Sequence, residues 1–361
     1  MSTAPALARA GRLPSASFWA GRRVFLTGHT GFKGVWLAFW LARLGAEVTG
    51  YALAPEGLPS LAVLSEVEAR VRSVRGDIRD AGALALAMAG ARPDVVLHLA
   101  AQSLVRRSYV DPVGTFETNV LGTIHVMQAV RQTPSVSAMV VVSSDKCYEN
   151  KDFGVAFVEG DRLGGRDPYS ASKACAELAV AAWRGSFLAS GPRVATARAG
   201  NVIGGGDWAA DRLVPDCVRA FGAGVPAVIR NPAATRPWQH VLDPLCGYLL
   251  LAEALCRDTG FDIAWNFGPD PSEARPVADV VGRLAAAWGD AARWGVQQDD
   301  GVPEAGLLAV DASRARAALG WAPRLGLDDA IGWTAHWYRA QHEGGDAAGL
   351  IAAELAQYEQ P

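Results

Sequence analysis

Two short stretches place proton-moving groups at spacings that catalysis can use. In the first, Val141-Val142-Ser143-Ser144-Asp145-Lys146-Cys147-Tyr148, β-branched apolar residues give way within a few positions to a hydroxyl, a carboxylate and an ammonium. Asp and Lys are almost never buried unless paired. The cluster is therefore either a solvated loop with an incidental ion pair or a catalytic site at the carboxyl end of a parallel strand. In the second, Tyr169-Ser170-Ala171-Ser172-Lys173 follows Asp167-Pro168 and opens a helix-forming run. Tyr169 and Lys173 are then four apart and share a helix face. One reading is a surface tyrosine with a lysine stacked beneath it; the other is a phenol base. A phenol of pKa ~10 must drop by roughly three units, about 4 kcal/mol, to accept a proton near neutrality. One ammonium at ~4 Å supplies about that much at an effective dielectric of ~20.

Such groups need a scaffold that ends its strands at a common cleft. The pattern predicts a strand over 23–27 running into Gly28-His29-Thr30-Gly31-Phe32-Lys33-Gly34, then a helix over 35–44 closed by Gly45. The G-x-x-G-x-x-G spacing differs by one residue from the commonest dinucleotide fingerprint, but its demands are the same: glycines for a tight turn and close approach, and free N–H groups at a helix start for a pyrophosphate. A second strand over 47–53 ends without an acidic residue for an adenosine ribose; Glu56 lies beyond Pro55, and Lys33 could favour a 2′-phosphate, so NAD and NADP both stay open. A third strand near 71–74 leads to Gly76-Asp77-Ile78-Arg79-Asp80, where Asp77 either faces an adenine ring or caps the next helix. A strand over 94–99 stops at Ala100-Ala101-Gln102, small residues that let a flat cofactor lie on the backbone or simply pack a helix tightly. Phe116, Val120, Thr123 and Met127 repeat at helical spacing within 112–131. The alternation implies an α/β fold, a Rossmann-type doubly wound parallel sheet.

The chain of 361 residues is long enough for a large domain and a smaller substrate-binding lobe. The expected organisation is a loose N-terminal tail over 1–17 with no signal-peptide h-region, a dinucleotide-binding domain over 18–200 with later segments interleaved, a mainly substrate-binding lobe over 201–345 and a C-terminal tail over 346–361. A net charge of -3 leaves no electrostatic footprint for nucleic acid, and no basic run suits an anionic membrane. No apolar run approaches the ~18 residues of a membrane span. Five cysteines without metal-type C-x-x-C spacing fit a reducing cytoplasm, and no metal-ligand constellation accompanies them.

Taken together, the glycine loop, Asp77, the Leu99-Ala100-Ala101 turn, the Ser144 strand end and the Tyr169/Lys173 pair resemble the extended short-chain dehydrogenase/reductase superfamily. The segments GHTGFKG, SSDKCY, DPYSASK, RAGNVIGGGDW and RNPAATRPWQHV resemble, more narrowly, the CDP-glucose 4,6-dehydratases. The resemblance runs from about residue 18 to about 255 and returns at Leu319-Gly320-Trp321-Ala322-Pro323.

It implies an NAD site built from Gly28, Thr30, Gly31, Phe32, Lys33, Gly34, Asp77, Ile78, Leu99, Ala100 and Ala101, with Tyr169 and Lys173 at its nicotinamide end. It also implies a nucleotide-sugar substrate. Tyr169, assisted by Ser144 and Lys173, would take the 4-hydroxyl proton as hydride leaves C4. Asp145 would protonate the departing 6-hydroxyl, and the hydride would return to C6. Sister dehydratases carry Glu after the Asp, where this chain has Lys146, a candidate C5 base or a cation steadying the enolate. Asp145 must then begin protonated and a lysine base neutral, against ordinary values of ~3.9 and ~10.4. Both side chains reach one sugar only if the backbone leaves the strand at Ser144, because alternation points neighbours apart.

Gln102, Asn201 and His240 are candidates for contact with the sugar nucleotide, and Arg212, Arg230 and Arg236 for its pyrophosphate, since guanidinium matches phosphate oxygens bidentately. His240 has a packed-core alternative, and at least one of the three arginines is expected to be solvated surface charge instead. A homodimer or higher homo-oligomer would pair helices near 112–131 and 168–188. The rivals are a 4-epimerase or dehydrogenase, which needs Tyr169 and Lys173 but neither Asp145 nor Lys146; a dehydratase of another nucleotide hexose or heptose; and a cofactor-sensing protein that kept the fold and lost the chemistry.

Overall fold

Seven strands, β1 (Arg23–Thr27), β2 (Glu47–Ala52), β3 (Arg72–Arg75), β4 (Val95–His98), β5 (Ala138–Val142), β6 (Arg193–Ala199) and β7 (Ala264–Phe267), form one parallel sheet in the order 7-6-5-4-1-2-3. The computed structural model describes residues 11–55, 57–150, 154–297 and 308–360, so Glu56 and residues 1–10 of the expected N-terminal tail lie outside it. β1 pairs with β2 on one side and β4 on the other, so the strand order reverses there and opens a crevice at the carboxyl ends. β4 and β5, Val-Val-Leu-His and Ala-Met-Val-Val-Val, are covered on both faces, which is why they read as apolar runs rather than alternating ones.

Helices α1 (Phe32–Arg43), α2 (Ala81–Ala91), α3 (Gly122–Arg131), α4 (Pro168–Phe187) and α5 (Leu242–Arg257) cover the sheet. Trp36, Trp40 and Leu249 pack with Val24, Leu26 and Val140 on one face; Val126, Met127 and Val180 pack with Phe25, Val96 and Met139 on the other. The 112–131 stretch begins as a helix over Pro112–Phe116 and passes through a wider π turn, Glu117–Leu121, into α3. Beyond β6 the chain alternates between scaffold and lobe. β7 and α5 return to the sheet, while short strand pairs, such as Ala227–Ile229 with Trp294–Val296, build the lobe.

Both expected tails are packed where they are described. Arg12 N donates to Gly320 O at 2.9 Å, Arg324 Nη1 donates to Gly11 O at 3.0 Å, and Ser15 N and Trp19 Nε1 both donate to the buried carboxylate of Glu253. At the other end Asp346 caps α7 (Ala347–Tyr358), which follows α6 (Leu327–His342). Ile351, Leu355 and Tyr358 repeat at helical spacing and are buried, Tyr358 edge-on to Trp40. Among the described residues no helix is long and apolar enough to cross a membrane, and no group of three His, Cys, Asp or Glu residues could hold a metal ion.

Candidate active site

β5 stops at Val142, and Ser143 N still donates to Ala197 O at 2.8 Å. Ser144 then caps a single 3-10 turn, Asp145–Cys147, its Oγ accepting from Lys146 N at 3.2 Å. This departure from the strand lets Asp145 and Lys146, adjacent in sequence, line one cleft. Asp145 is buried; Oδ1 accepts from Ser144 Oγ at 3.2 Å, and Oδ2 has no hydrogen-bond partner. Burial raises its carboxyl above the usual range against the opposing pull of Lys146, Ser144, Arg236 and Lys33. That favours the protonated form an acid catalyst needs.

α4 begins at Pro168 behind its cap, Asp167, which accepts from Ser170 N at 2.9 Å. Its first two turns carry Tyr169 and Lys173 onto the buried side facing β5: Lys173 Nζ donates to Val142 O at 3.4 Å, and the Tyr169 hydroxyl is hydrogen-bonded to Ser144. Burial takes the Lys173 ammonium down to about 8 against the pull of Glu177 and Cys147, and pushes the Tyr169 phenol up to about 12 against its bond to Ser144. The lysine alone thus does not produce the drop that a phenol base requires. Desolvation outweighs it, and further positive charge is needed at the ring.

The cleft encloses about 1210 Å³, more than the ~300–1,000 Å³ of an ordinary single-ligand site, so two ligands fit side by side. Its dinucleotide end has the close backbone approach that a pyrophosphate demands. Gly28 has φ +77°, and a Cβ there would stand 2.8 Å from Ala100 N; a Cβ on Gly34 would stand 2.0 Å from Gly28 O. No side chain caps the start of α1 at Gly31, leaving that end of the helix to a ligand. Thr30 Oγ1 donates to Leu53 O at the end of β2, where no carboxylate stands among the described residues. Asp77 and Ile78 line the far end. Asp77 accepts from the Arg79 backbone and guanidinium, which hold its carboxyl below the usual range, whereas the cap of α2 is Asp80, accepting from Ala83 N at 2.9 Å. Of the two readings of Asp77, the capping one falls.

Four residues outside the motifs, Thr27, His98, Thr123 and Asn119, shape the Leu99-Ala100-Ala101 turn. Thr27 Oγ1 accepts from both Leu99 N and Ala100 N at 3.1 Å, so its own proton goes to His98 Nδ1 at 2.7 Å. His98 Nε2 meets Thr123 Oγ1 at 3.0 Å, and Thr123 donates to Asn119 O. Asn119 in turn donates to Gln102 O and to Ser172 Oγ, joining the turn to the catalytic helix. The signal of Thr27 and His98 in the sequence is faint, polar residues that close otherwise apolar strands, and Asn119 and Thr123 are polar positions within a helical stretch.

Lys33 does not face the adenosine ribose. Its Nζ lies 3.5 Å from the Tyr248 hydroxyl on α5, toward the catalytic groups, and burial together with Arg212 and Lys173 lowers it to about 7. It lines the cleft among Arg212, Lys173 and Asp145, so its reading as a 2′-phosphate ligand fails.

Asn201, Arg212, Arg230 and Arg236 all line the cleft. Asn201 Oδ1 is buried without a partner, and Arg236 is buried close enough to Asp145 to pull its carboxyl down. Arg212 donates to Asp207 Oδ2 at 2.8 Å and to Ser103 Oγ at 2.9 Å; Arg230 donates to Asp211 Oδ1 at 3.2 Å. Two other candidates fail. Gln102 spends both amide protons on Leu104 O and Thr115 Oγ1, and its Oε1 accepts from Leu104 N, so it staples its own loop. His240, paired in register with Ile203, is buried outside the cleft between Trp36 and Trp333, with Nε2 3.5 Å from Glu354.

The sequence model of GDP-mannose 4,6 dehydratase matches residues 25–259. A CDP-glucose 4,6-dehydratase of Salmonella typhimurium is 44% identical over 349 residues, 95% of this chain and 97% of the relative. A dTDP-glucose 4,6-dehydratase of Streptomyces griseus is 32% identical over 74% of this chain and 78% of its own. Among solved structures, the dTDP-glucose 4,6-dehydratase of Streptomyces venezuelae with NAD bound superposes with TM-score 0.77 at 26% identity, covering 90% of this chain and 99% of that one. With the matched segment spanning the glycine loop, the acid-bearing turn and the Tyr169/Lys173 helix, the chain belongs to this family of nucleotide-sugar 4,6-dehydratases.

Proposed function

We propose that the chain converts CDP-glucose to CDP-4-keto-6-deoxyglucose with NAD as resident cofactor. The observation that carries this reading is the turn at Asp145–Cys147: it sets a buried carboxyl with an unpartnered oxygen in the same cleft as Tyr169 and Lys173, and only loss of water needs it. The CDP-glucose assignment is supported by the 44% identical relative.

Gly28, Thr30, Gly31, Phe32 and Gly34 would hold the dinucleotide at its pyrophosphate, Asp77 and Ile78 at its adenine, and Leu99, Ala100 and Ala101 along its length. Bound there, it supplies a reversible hydride acceptor for C4 and donor for C6. Tyr169, hydrogen-bonded to Ser144, takes the 4-hydroxyl proton, and Lys173 adds positive charge beside it. The 4-ketone acidifies C5–H, which Lys146 removes, while Asp145 gives its proton to the departing 6-hydroxyl; Lys146 then returns a proton to C5 as C6 is reduced. Asn201, Arg212 and Arg236 hold the nucleotide sugar, with Arg230 toward its nucleotide end.

The active form is a homodimer. Val113 and Leu121, with Phe116 beside them, and Leu178 and Phe187 on α4 leave apolar surface on the two helices that would meet their counterparts. Five free thiols suit a reducing cytoplasm.

The test is isotopic. Deuterium at C4 of CDP-glucose should appear at C6 of a product lighter by one water, and solvent deuterium should enter C5. Label found in free reduced cofactor would mark a dehydrogenase, and C4 inversion without loss of water an epimerase. Running UDP-, dTDP- and GDP-glucose in parallel, each with NAD and with NADP, tests the nucleotide and the cofactor.

A further inference from the structure

The turn carrying Asp145 and Lys146 is anchored at its far end by Tyr148, which borders the cleft, and through it by Arg198 and Glu177, which do not. Tyr148, the residue that ends the turn, is buried and has extended backbone. Its hydroxyl donates to Asn266 Oδ1 at 2.7 Å and accepts from Arg198 Nη1 at 2.9 Å, and its ring stacks on Phe157 at 4.8 Å, 4° from parallel. Arg198, on β6, grips Glu177 on α4 through Nε at 3.0 Å and Nη2 at 2.7 Å. Glu177 is held in addition by Thr196 Oγ1 at 2.8 Å. Arg198 and Glu177 are both almost fully buried.

A buried ion pair adds little stability over apolar packing of the same shape, because desolvation consumes most of the Coulombic gain. What a bidentate pair between a strand and a helix does supply is a fixed position. Glu177 is one helical turn beyond Lys173, so the pair ties the helix that carries out C4 oxidation to the turn that carries out elimination.

We infer that Arg198, Glu177 and Tyr148 form a positioning clamp that sets the Asp145–Lys146 turn against Tyr169 and Lys173, and that it serves the loss of water rather than the oxidation. The inference rests on the dehydratase reading for its consequence, but not for its geometry. C4 oxidation uses Ser144, Tyr169 and Lys173, which are held by β5 and by the start of α4. Elimination uses Asp145 and Lys146, and beyond Ser144 their turn is tied down at Cys147, whose O accepts from Gly164 N at 2.9 Å, and then by the buried side chain of Tyr148.

Removing Arg198 outright would strand a buried carboxylate and endanger folding, so the test uses Tyr148→Phe. This change keeps the ring on Phe157 and deletes only the hydroxyl; Phe157→Leu, which removes the stacking partner of the Tyr148 ring and leaves the buried ion pair intact, carries the same test should the first variant fail to fold. Two readouts are taken on the full chain with NAD: hydrogen exchange of the amides over 144–148, and the single-turnover ratio of water loss to C4 oxidation with CDP-glucose. The clamp predicts at least about tenfold faster exchange in that segment and at least about a tenfold fall in the ratio, with the rest of the protein protected as in the parent. A melting change alone would leave the ratio where it was, so the ratio separates positioning from mere stability. Either readout staying within about twofold of the parent overturns the assignment. A parent that oxidises nucleotide sugars without losing water overturns the functional reading instead, and the clamp is then judged by exchange alone.

Discussion

Gly200 lies directly against the acid of the site: a Cβ on it would stand 2.9 Å from Asp145 Oδ2 and 2.5 Å from Pro237 Cγ. The unpartnered carboxyl oxygen therefore has the room it needs only because the facing residue has no side chain. Gly200→Ala must push Asp145 or Pro237 aside. Water loss should fall by about 10–100-fold, the cost of a misplacement on the order of 1 Å, with C4 oxidation less affected. Single-turnover rates of the two steps check this; equal losses in both would mean that the crowding is felt by the whole cleft.

Asp145→Asn removes the acid and keeps the shape. Loss of water should drop by about 10²–10⁴-fold while reduced cofactor still forms in a single turnover. The parent's elimination rate should fall as pH rises through the elevated pKa of Asp145, because the protonated form is the active one. The variant should lack that alkaline limb, so a limb that persists in it belongs to another group.

Lys173 costs stability where it stands. Its folded value of about 8 lies below the ordinary 10.5, so between those limits the unfolded chain binds more protons and stability rises with pH. Below about 8 the penalty is fully present, on the order of 3 kcal/mol. Lys173→Met should therefore be inactive yet more stable than the parent at pH 7, with the advantage fading toward pH 10.5. Denaturant melts of the cofactor-free proteins at several pH values decide it; a gain that does not change with pH would assign it to packing instead.

The sheet, the glycine loop and the Tyr169/Lys173 helix were legible because each has a local signature: apolar runs for strands buried on both faces, glycines where backbone approaches backbone, and i, i+4 spacing on one helix face. What was not legible depends on tertiary neighbours. Gln102 sits where a substrate ligand would, but the nearby Leu104 and Thr115 consume its hydrogen bonds. His240 follows Trp238 and Gln239, yet its place in the register points it into a tryptophan cage. Lys33 reads as a phosphate ligand until α1 is docked on α5. The tails misled for a simpler reason: small, alanine-rich segments look dispensable until a partner surface is known.

Ile351 gives that last correction a number to meet. It is fully buried on α7, a segment whose composition reads as a tail. Ile351→Ala should destabilise the protein by about 2–5 kcal/mol, as core truncations do. A true tail would register a change within about 0.5 kcal/mol, so a denaturation midpoint close to the parent's would mean that the helix is not docked in solution.

Lys146 is the remaining choice. It lines the cleft next to Asp145 on the same turn. Methionine matches its length and apolar stem without the amine, so Lys146→Met tests the nitrogen alone. If that nitrogen takes the C5 proton, oxidation at C4 persists, seen as reduced cofactor in a single turnover, because Ser144, Tyr169 and Lys173 are untouched. Exchange of C5–H with solvent deuterium should fall by about 10²–10⁴-fold, the usual contribution of a positioned base. A cation that only steadies the enolate would act on the same step, but its replacement by Lys146→Arg, which keeps the charge and cannot deprotonate, would then restore exchange. The base role predicts no such rescue: the arginine variant should be as slow as the methionine one. Exchange near the parental rate in Lys146→Met would assign the C5 proton to a different residue of the cleft.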